Sequence, residues 1–327
     1  MRICIYGAGV IGGLLGAGFS RAGHEVSLIA RGPHLAAIRA GGLRIRSSGG
    51  TYAVPLKASS DPGDFGPQDL VIVATKTPAL AEVAGNIGAL LGPETLVAFA
   101  NNGVFWFYGD GFRPKNLTLD TGRLDPGGVL HRAVELRRVL GMICYSGGAI
   151  NEPGVIDSNN QGRYILGAAL PETTPRAKAL VEALGVKDFG LTASDDIREV
   201  MWPKYVEVVG SQAVAALTGG TIGQNSQDPA LRAVGIGMMR EAMAVAALHG
   251  YPDFGEALVK GRDQVSASTH KPSTLQDLER GRAMEIDAQY RVLQDLARQS
   301  GVPTPFLDTV VPLLVQRAKL AGCYGGA

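Results

Sequence analysis

The fold is decided by ten residues, Ile3-Cys4-Ile5-Tyr6-Gly7-Ala8-Gly9-Val10-Ile11-Gly12. An apolar run followed by glycines spaced as GxGxxG predicts a buried strand, a tight turn and a helix. Gly7 permits the turn, Gly9 lets phosphates approach the backbone, and Gly12 lets the helix pack on the strand. We therefore predict that a dinucleotide binds at Gly7, Ala8, Gly9, Val10, Ile11 and Gly12. The alternative is a tight turn with no ligand.

Strands and helices alternate through the first half of the chain. Apolar runs predict strands at residues 3–6, 25–30, 70–75, 95–100, 140–145 and 163–167, and helices at 10–22 and 80–91. Because these strands are apolar on both faces, we expect a parallel sheet covered by helices. After about Thr192 the strand signals end. Long helices are predicted at 228–249, 275–300 and 306–320.

This pattern predicts an α/β N-terminal Rossmann-type domain with a parallel sheet, followed by an all-α C-terminal domain. We place the first domain at residues 1–192 and the second at 193–327. Residues 105–128 are rich in Gly, Pro, Asp and aromatic side chains and lack a clear period, so we expect an insertion in the first domain. Long loops of this kind are often functional.

The composition limits the classes of function. The chain has 327 residues, of which 46% are hydrophobic, and a formal net charge of +1, so neither nucleic acid nor a membrane is expected as a partner. Cys4, Cys144 and Cys323 match no zinc spacing and no disulfide framework, which favours a cytoplasmic protein. The five histidines lack the spacing of metal ligands, and no transmembrane helix is expected.

The second predicted strand ends in Ala30-Arg31-Gly32, which contains no acid. Proteins that bind NAD place Asp or Glu there to hold the ribose 2′-hydroxyl, whereas arginine suits a 2′-phosphate. We therefore expect NADPH/NADP rather than NADH, the alternative being a solvated surface arginine. Lys76 and Asn102 follow two further strands, whose carboxyl ends face the ligand in such sheets, so both are predicted at the cofactor. Surface exposure is the alternative for Lys76.

Lys204 interrupts an apolar stripe at helical spacing, formed by Ile197, Val200, Met201 and Val208. A lysine in this position either extends to solvent or faces a partly buried site. Burial would lower the pKa of its ammonium group and make it a usable proton donor near neutral pH. The pattern alone leaves both interpretations open.

Glu285 and Ser273 are two further candidates in the second half. On the predicted helix at 275–300, Glu285 shares a face with buried leucines, so its carboxylate needs a partner such as Lys204. The alternative is a flank position of an ordinary amphipathic helix. Ser273 begins Ser-Thr-Leu-Gln, which predicts a capping box with Gln276. An N-cap hydroxyl is also placed to contact an anion.

Taken together, these motifs resemble ketopantoate reductase (2-dehydropantoate 2-reductase). The resemblance extends from the first residues to the last third of the chain. It rests on the order and spacing of Gly7-Ala8-Gly9-Val10-Ile11-Gly12, Arg31, Thr75-Lys76, Asn102-Gly103-Val104, Glu152-Pro153-Gly154, Trp202-x-Lys204, Ser273-Thr274-Leu275-Gln276-Asp277 and Glu285-Ile286-Asp287.

The resemblance implies hydride transfer from NADPH to the 2-oxo carbon of a small acid, in a cleft between the two domains. It implies that Lys204 protonates the developing alkoxide and helps to bind the substrate. Glu285 would lie near this lysine and the cofactor, and Ser273 would contact the substrate carboxylate. Asn102 would lie between nicotinamide and substrate. A homodimer is supported by family analogy alone.

The chain departs from the family pattern at the substrate. Members of the family carry asparagines four and eight residues after the catalytic lysine, where this chain has Val208 and Gln212. Gln212 keeps an amide and is predicted to bind substrate, but a valine cannot replace an amide's donors. Pro203 could kink the helix beside Lys204, and the 105–128 insertion could lie over the cleft.

Three functions follow from these residues. The first is reduction of 2-dehydropantoate to pantoate in pantothenate and coenzyme A biosynthesis. The second is a paralogous NADPH-dependent reductase of another 2-oxo or keto acid, which Val208 and Gln212 favour. The third is a non-catalytic NADPH-binding regulatory protein, against which the presence of both Lys204 and Glu285 argues.

Overall fold

The chain forms two compact units in a computed structural model. The first contains residues 1–101 and 127–197, and the second contains 102–126 and 198–327. The structure describes residues 1–111, 117, 119–158, 162–186, 189–252, 254–261 and 268–325. The predicted boundary at 192/193 lies five residues before the observed division at 197/198.

The first unit is built on strands. In chain order they are β1 (Arg2–Tyr6), β2 (Glu25–Ile29), β3 (Leu43–Ser47), β4 (Gly50–Val54), β5 (Lys57–Ser59), β6 (Gln68–Val73), β7 (Leu91–Phe99), β8 (Val139–Tyr145), β9 (Gly148–Glu152), β10 (Val155–Ser158), β11 (Arg163–Ala168) and β12 (Leu191–Ala193). Eight of them form one sheet in the order β12-β11-β8-β7-β6-β1-β2-β5, and a smaller sheet has the order β4-β3-β10-β9. The carboxyl ends of β2, β1 and β6 are therefore neighbours.

The α-helices of the first unit are α1 (Val10–Arg21), α2 (Gly32–Gly41), α3 (Leu80–Asn86), α4 (Val129–Ala133) and α5 (Thr174–Leu184). All strand pairs of the large sheet are parallel except β8 with β11. That pair is antiparallel because the chain between its strands forms β9 and β10 and supplies no crossover helix. The predicted α/β domain is confirmed, with this one reversal in a mostly parallel sheet.

From Arg198 onwards, the described residues of the second unit form helices and the connections between them. Its helices are α6 (Ile197–Thr218, whose first residue belongs to the first unit), α7 (Ile222–Gln227), α8 (Pro229–Leu248), α9 (Gly255–Gly261), α10 (Ser273–Glu279), α11 (Val292–Ser300) and α12 (Pro305–Leu320), with a π-helical turn at Asp287–Arg291. Pro203 lies inside α6 without ending it. None of the helices described is both long and apolar enough to cross a membrane.

The predicted helix at 275–300 is wrong, because α10 ends at Glu279. Gly281 has a φ of +62°, a conformation that favours glycine. Its N–H donates to the Leu278 carbonyl, and the Arg282 N–H donates to that of Asp277. This is the Schellman arrangement that closes a helix. Glu285 therefore lies in the connection after α10 and not on a helical face shared with Leu278.

The insertion predicted at 105–128 belongs mostly to the second unit. Four consecutive aromatic residues, Phe105-Trp106-Phe107-Tyr108, are buried. The guanidinium of Arg198, itself buried, donates to the carbonyls of Phe107, Tyr108 and Asp110. These contacts place the segment with the helices, although in sequence it interrupts the sheet domain. Residues 112–116 and 118 lie outside the described residues.

A buried chain of hydrogen bonds also holds this segment. The Trp202 indole N–H donates to Tyr108 Oη at 3.0 Å, and that hydroxyl lies 2.9 Å from His249 Nδ1. Because tryptophan can only donate, the tyrosine proton is directed to Nδ1. Nε2 of His249 then carries the ring proton and donates to Ser300 Oγ at 2.9 Å. The geometry thus requires a neutral His249, and burial lowers its pKa from 6.5 to about 4.

We predict that His249 makes stability fall with acidity. The unfolded chain binds a proton at the ordinary pKa of 6.5, whereas the folded chain resists protonation down to about pH 4. Between pH 7 and pH 5 this group should therefore remove about 2 kcal/mol from the free energy of unfolding. Denaturant unfolding at both pH values should show a smaller loss in His249→Gln than in the wild type. Equal losses in the two proteins would contradict the assignment.

Candidate functional site

The glycine turn connects β1 to α1 in a conformation that excludes side chains. Gly7 has a φ of +108°, and a Cβ there would lie 2.9 Å from the Thr75 backbone. A Cβ on Gly12 would lie 2.0 Å from the Gly7 carbonyl oxygen. The N–H groups of Gly7 and Ala8 both donate to the Ile29 carbonyl at the end of β2. The turn is therefore held in place by β2 and by the residues that follow β6.

The start of α1 is suited to a phosphate group. A Cβ built on Gly9, its N-cap, would meet nothing within 4 Å, so the space in front of this residue is open. No side chain caps α1, and its first turn contains no acid. The first N–H groups of a helix point outwards and carry a partial positive charge. The residues from Gly7 to Gly12 thus fit the pyrophosphate of a dinucleotide.

His34 also holds the glycine turn in place, through a hydrogen bond to Ala8. The Gly154 N–H donates to its Nδ1 at 2.9 Å, so Nε2 carries the ring proton and donates to the Ala8 carbonyl at 2.9 Å. Burial lowers the pKa of His34 below its ordinary value, which favours this neutral form. His34 was not predicted from the sequence, because a single histidine on α2 gives no signal for a contact with the turn.

Arg31 and Lys76 lie at the same edge of the sheet as the glycine turn. Arg31 follows β2 as the N-cap of α2, and its Nη2 lies 3.2 Å from Glu82 Oε2 on α3. Lys76 follows β6, and its Nζ is buried. Asn101, which the sequence analysis did not select, donates from Nδ2 to the Thr75 carbonyl at 2.5 Å. The predicted cofactor residues of the first unit are therefore close in the fold.

In the second unit Lys204 and Asn102 form a direct contact. Nζ of Lys204, on α6, donates to Oδ1 of Asn102 at 2.9 Å. The loop that carries Asn102 is held in place by Val104, whose N–H donates to the Ala288 carbonyl at 2.9 Å. A Cβ on Gly103 would lie 2.2 Å from that same carbonyl oxygen. Lys204 is half-buried.

Glu285 belongs to the same unit and precedes the π-helical turn. Glu285 is buried, with 8% of its surface exposed, and its carbonyl accepts from the Gln289 N–H at 3.0 Å. Tyr205, beside Lys204, donates to the Gln289 carbonyl at 2.9 Å. The Lys204 helix, the Asn102 loop and the segment after Glu285 are thus tied together by hydrogen bonds. Segments of π-helix often occur at functional sites.

Gln212 and Ser273, both predicted to bind substrate, also contact each other. Oε1 of Gln212 accepts from Ser273 Oγ at 2.9 Å, from the Thr274 N–H at 3.3 Å and from Thr274 Oγ1 at 2.5 Å. The predicted capping box is wrong, because the N-cap of α10 is Pro272, which has no side-chain acceptor. Gln212 supplies from α6 the acceptor that the N-cap lacks.

The three donors fix the orientation of the Gln212 amide. A backbone N–H can only donate, so the atom that faces Thr274 must be oxygen. Nε2 then points away from α10. Among the described residues no acceptor lies within hydrogen-bonding distance of Nε2, which keeps contact with solvent. Thr274 was not predicted from the sequence, because the Ser-Thr-Leu-Gln motif was assigned to capping by Ser273.

The comparisons with known proteins cover both units. The family model for ketopantoate reductase PanE/ApbA matches residues 3–106, and the model for its C-terminal part matches residues 196–318. Together with the fold, these matches define an oxidoreductase that acts on a CH–OH or C=O group.

Individual relatives agree with the family models. A 2-dehydropantoate 2-reductase of Mesorhizobium japonicum is 36% identical over 99% of this chain and 100% of its own. A proposed ketopantoate reductase of Ralstonia solanacearum MolK2 has a TM-score of 0.89 and 35% identity over 99% of both chains. A 2-dehydropantoate 2-reductase of Geobacter metallireducens GS-15 has a TM-score of 0.83 and 26% identity over 97% of this chain and 99% of its own. The chain belongs to the ketopantoate reductase family.

We predict that the Thr274 hydroxyl stabilises the helical unit through Gln212. Thr274→Val keeps the shape and the backbone N–H but removes the hydrogen bond to Oε1, which should cost about 1 kcal/mol. Thr274→Ser keeps the hydroxyl and serves as the matched control. Thermal unfolding should show a lower melting temperature for the valine variant than for the serine variant. The reverse order would show that methyl packing matters more than the hydroxyl.

Proposed function

We propose that this chain reduces a small 2-oxo acid to the 2-hydroxy acid with NADPH, and that the acid is 2-dehydropantoate, which gives pantoate for pantothenate and coenzyme A biosynthesis. The observation that carries the proposal is the hydrogen bond of 2.9 Å between Lys204 and Asn102. It holds an ammonium group at a defined point in a chain whose other unit carries a dinucleotide turn. Family membership and the names of the relatives support the choice of acid.

The cofactor would be held by the first unit and supply the hydride. The Gly7–Gly12 turn would bind its pyrophosphate with the open backbone at Gly9, and Arg31 would bind the 2′-phosphate. Lys76 follows the neighbouring strand and would contact the same ligand. Asn102 and Glu285 are further proposed contacts by resemblance to the family.

Residues of the second unit would bind the substrate and donate the proton. Lys204 donates a proton to the carbonyl oxygen as negative charge develops there, and Asn102 orients the ammonium group through its Oδ1. By resemblance to the family, the buried carboxylate of Glu285 would lie near Lys204 and balance its positive charge. Gln212 would bind the acid group through Nε2, and Ser273 would bind it by turning its hydroxyl proton from Gln212 Oε1 to the carboxylate. Lys204 and Glu285 are thus the proposed catalytic residues.

Another 2-oxo or keto acid is the second candidate substrate. Val208 is buried and apolar, and it lies one helical turn after Lys204 on the same face of α6. A substrate hydroxyl facing it would lack a partner. A panel of 2-oxo acids under NADPH oxidation separates the two substrates. A large preference for 2-dehydropantoate would exclude the paralogous function, and NADPH binding without any turnover would support the regulatory alternative.

We predict that Lys204→Ala lowers kcat by at least about 100-fold, the usual size of a general-acid contribution. Lys204→Arg keeps the positive charge but does not give up a proton near neutral pH, so it should recover KM for the acid while kcat stays low. Lys319→Ala, at an exposed position on α12, is the control and should behave as the wild type. Steady-state rates of NADPH oxidation measure these effects. Normal turnover in Lys204→Ala would remove this lysine from the mechanism.

We predict that Arg31→Ala weakens NADPH selectively. Loss of charge-assisted hydrogen bonds to a 2′-phosphate should raise KM for NADPH by about 10-fold or more, with NADH affected by less than about twofold. Arg46→Ala removes another exposed arginine of the first unit, which pairs with Glu152, and should leave both values unchanged. Equal losses for both cofactors in Arg31→Ala would show that Arg31 does not bind the 2′-phosphate.

A further inference from the structure

The end of β2 carries no acidic residue, but the carboxylate of Glu82 lies close to it. β1 lies between β2 and β6 in the sheet, and Arg31 follows β2 while Glu82 is the third residue of α3, after β6. Glu82 Oε2 lies 3.2 Å from Arg31 Nη2, so the pair joins the two chain segments that flank the end of β1. The glycine turn begins at that end.

The charges of Glu82 and Arg31 both affect the pKa of Tyr6, which lies directly before the glycine turn. Burial raises the pKa of Tyr6, the last residue of β1, above its ordinary value. The negative charge of Glu82 raises the Tyr6 pKa further, and the positive charge of Arg31 lowers it. The ion-pair distance thus places Glu82 beside the proposed cofactor site, in agreement with the effect of its charge on Tyr6.

We propose that Glu82 is a specificity-determining residue that weakens the preference of this chain for a 2′-phosphorylated cofactor. The inference rests on the proposed NADPH-dependent function. Glu82 occupies Arg31, which the 2′-phosphate needs, and it places a negative charge next to that phosphate. Towards a cofactor without the 2′-phosphate, the same carboxylate accepts a hydrogen bond from the ribose 2′-hydroxyl, as an acid at the second strand does elsewhere.

Glu82 could in principle help NADPH instead, by holding Arg31 in position. The exposure of the pair decides against this, since 61% of the Arg31 side chain and 53% of the Glu82 side chain are accessible. Ion pairs so exposed orient their partners weakly. By contrast, like charges a few ångströms apart repel even in water, and the phosphate carries more than one negative charge. Repulsion between Glu82 and the phosphate therefore outweighs the orientation of Arg31 by Glu82.

The test measures binding without catalysis. Isothermal titration calorimetry of the whole protein with 2′,5′-ADP and with 5′-ADP isolates the 2′-phosphate. In Glu82→Gln we expect Kd for 2′,5′-ADP to fall about fivefold, the effect of removing one nearby charge. Kd for 5′-ADP should change by less than about twofold, because the glutamine carbonyl still accepts from the 2′-hydroxyl. The gain should shrink at high salt, because screening weakens the interaction of exposed charges.

Glu25→Gln is the matched control. Glu25 also pairs with a cation on the surface of the first unit, Lys57, and the substitution changes the net charge equally. It should leave both Kd values unchanged, which excludes a general effect of charge. No change in Glu82→Gln, or a loss of 2′,5′-ADP affinity, would overturn the inference. If the wild type binds 2′,5′-ADP no better than 5′-ADP, the proposed NADPH preference itself is wrong.

Discussion

The first unit depends on the absence of side chains at Gly7 and Gly12. A Cβ on Gly12 would lie 2.0 Å from the Gly7 carbonyl oxygen, so α1 can approach β1 only if both positions are glycine. The order β2-β1-β6 then brings the residues after these strands to one edge. Arg31 shares this edge with Lys76 and Glu82 because of the strand order, since it precedes both of them by 45 residues or more in sequence.

The second unit depends on buried polar groups that form hydrogen bonds with defined donors and acceptors. Arg198 satisfies three carbonyls of the 107–110 segment, and the hydrogen bonds from Trp202 through Tyr108 and His249 to Ser300 run in one direction. Removing one member would leave a buried donor or acceptor without its partner, which costs more than the bond itself contributes. The segment that follows Asn102 is therefore held firmly, and Asn102 is placed to meet Lys204.

The sequence predicts local elements well and their tertiary partners poorly. The β1–α1 unit follows from a ten-residue pattern, and Asp228 caps α8 at the position where the predicted 228–249 helix begins. The break at Gly281 was missed because an apolar period on both sides of a glycine resembles one helix until the left-handed φ is known. The capping of α10 by Gln212, 60 residues before Pro272, has no local signal. The same holds for the 102–126 segment, whose unit is decided by long-range contacts.

The orientation of the Gln212 amide bears directly on the substrate. With Oε1 committed to α10, Gln212 can offer a ligand only its N–H donors, and Lys204 likewise only donates. Between them on the same face of α6, Val208 offers neither donor nor acceptor. A ligand on this face is therefore favoured when it presents acceptor oxygens at its two ends and an apolar middle. A 2-oxo acid carries its carboxylate and carbonyl on adjacent carbons, so both supply acceptor oxygens at one end, and the rest of its chain, which faces Val208, decides which acid is preferred.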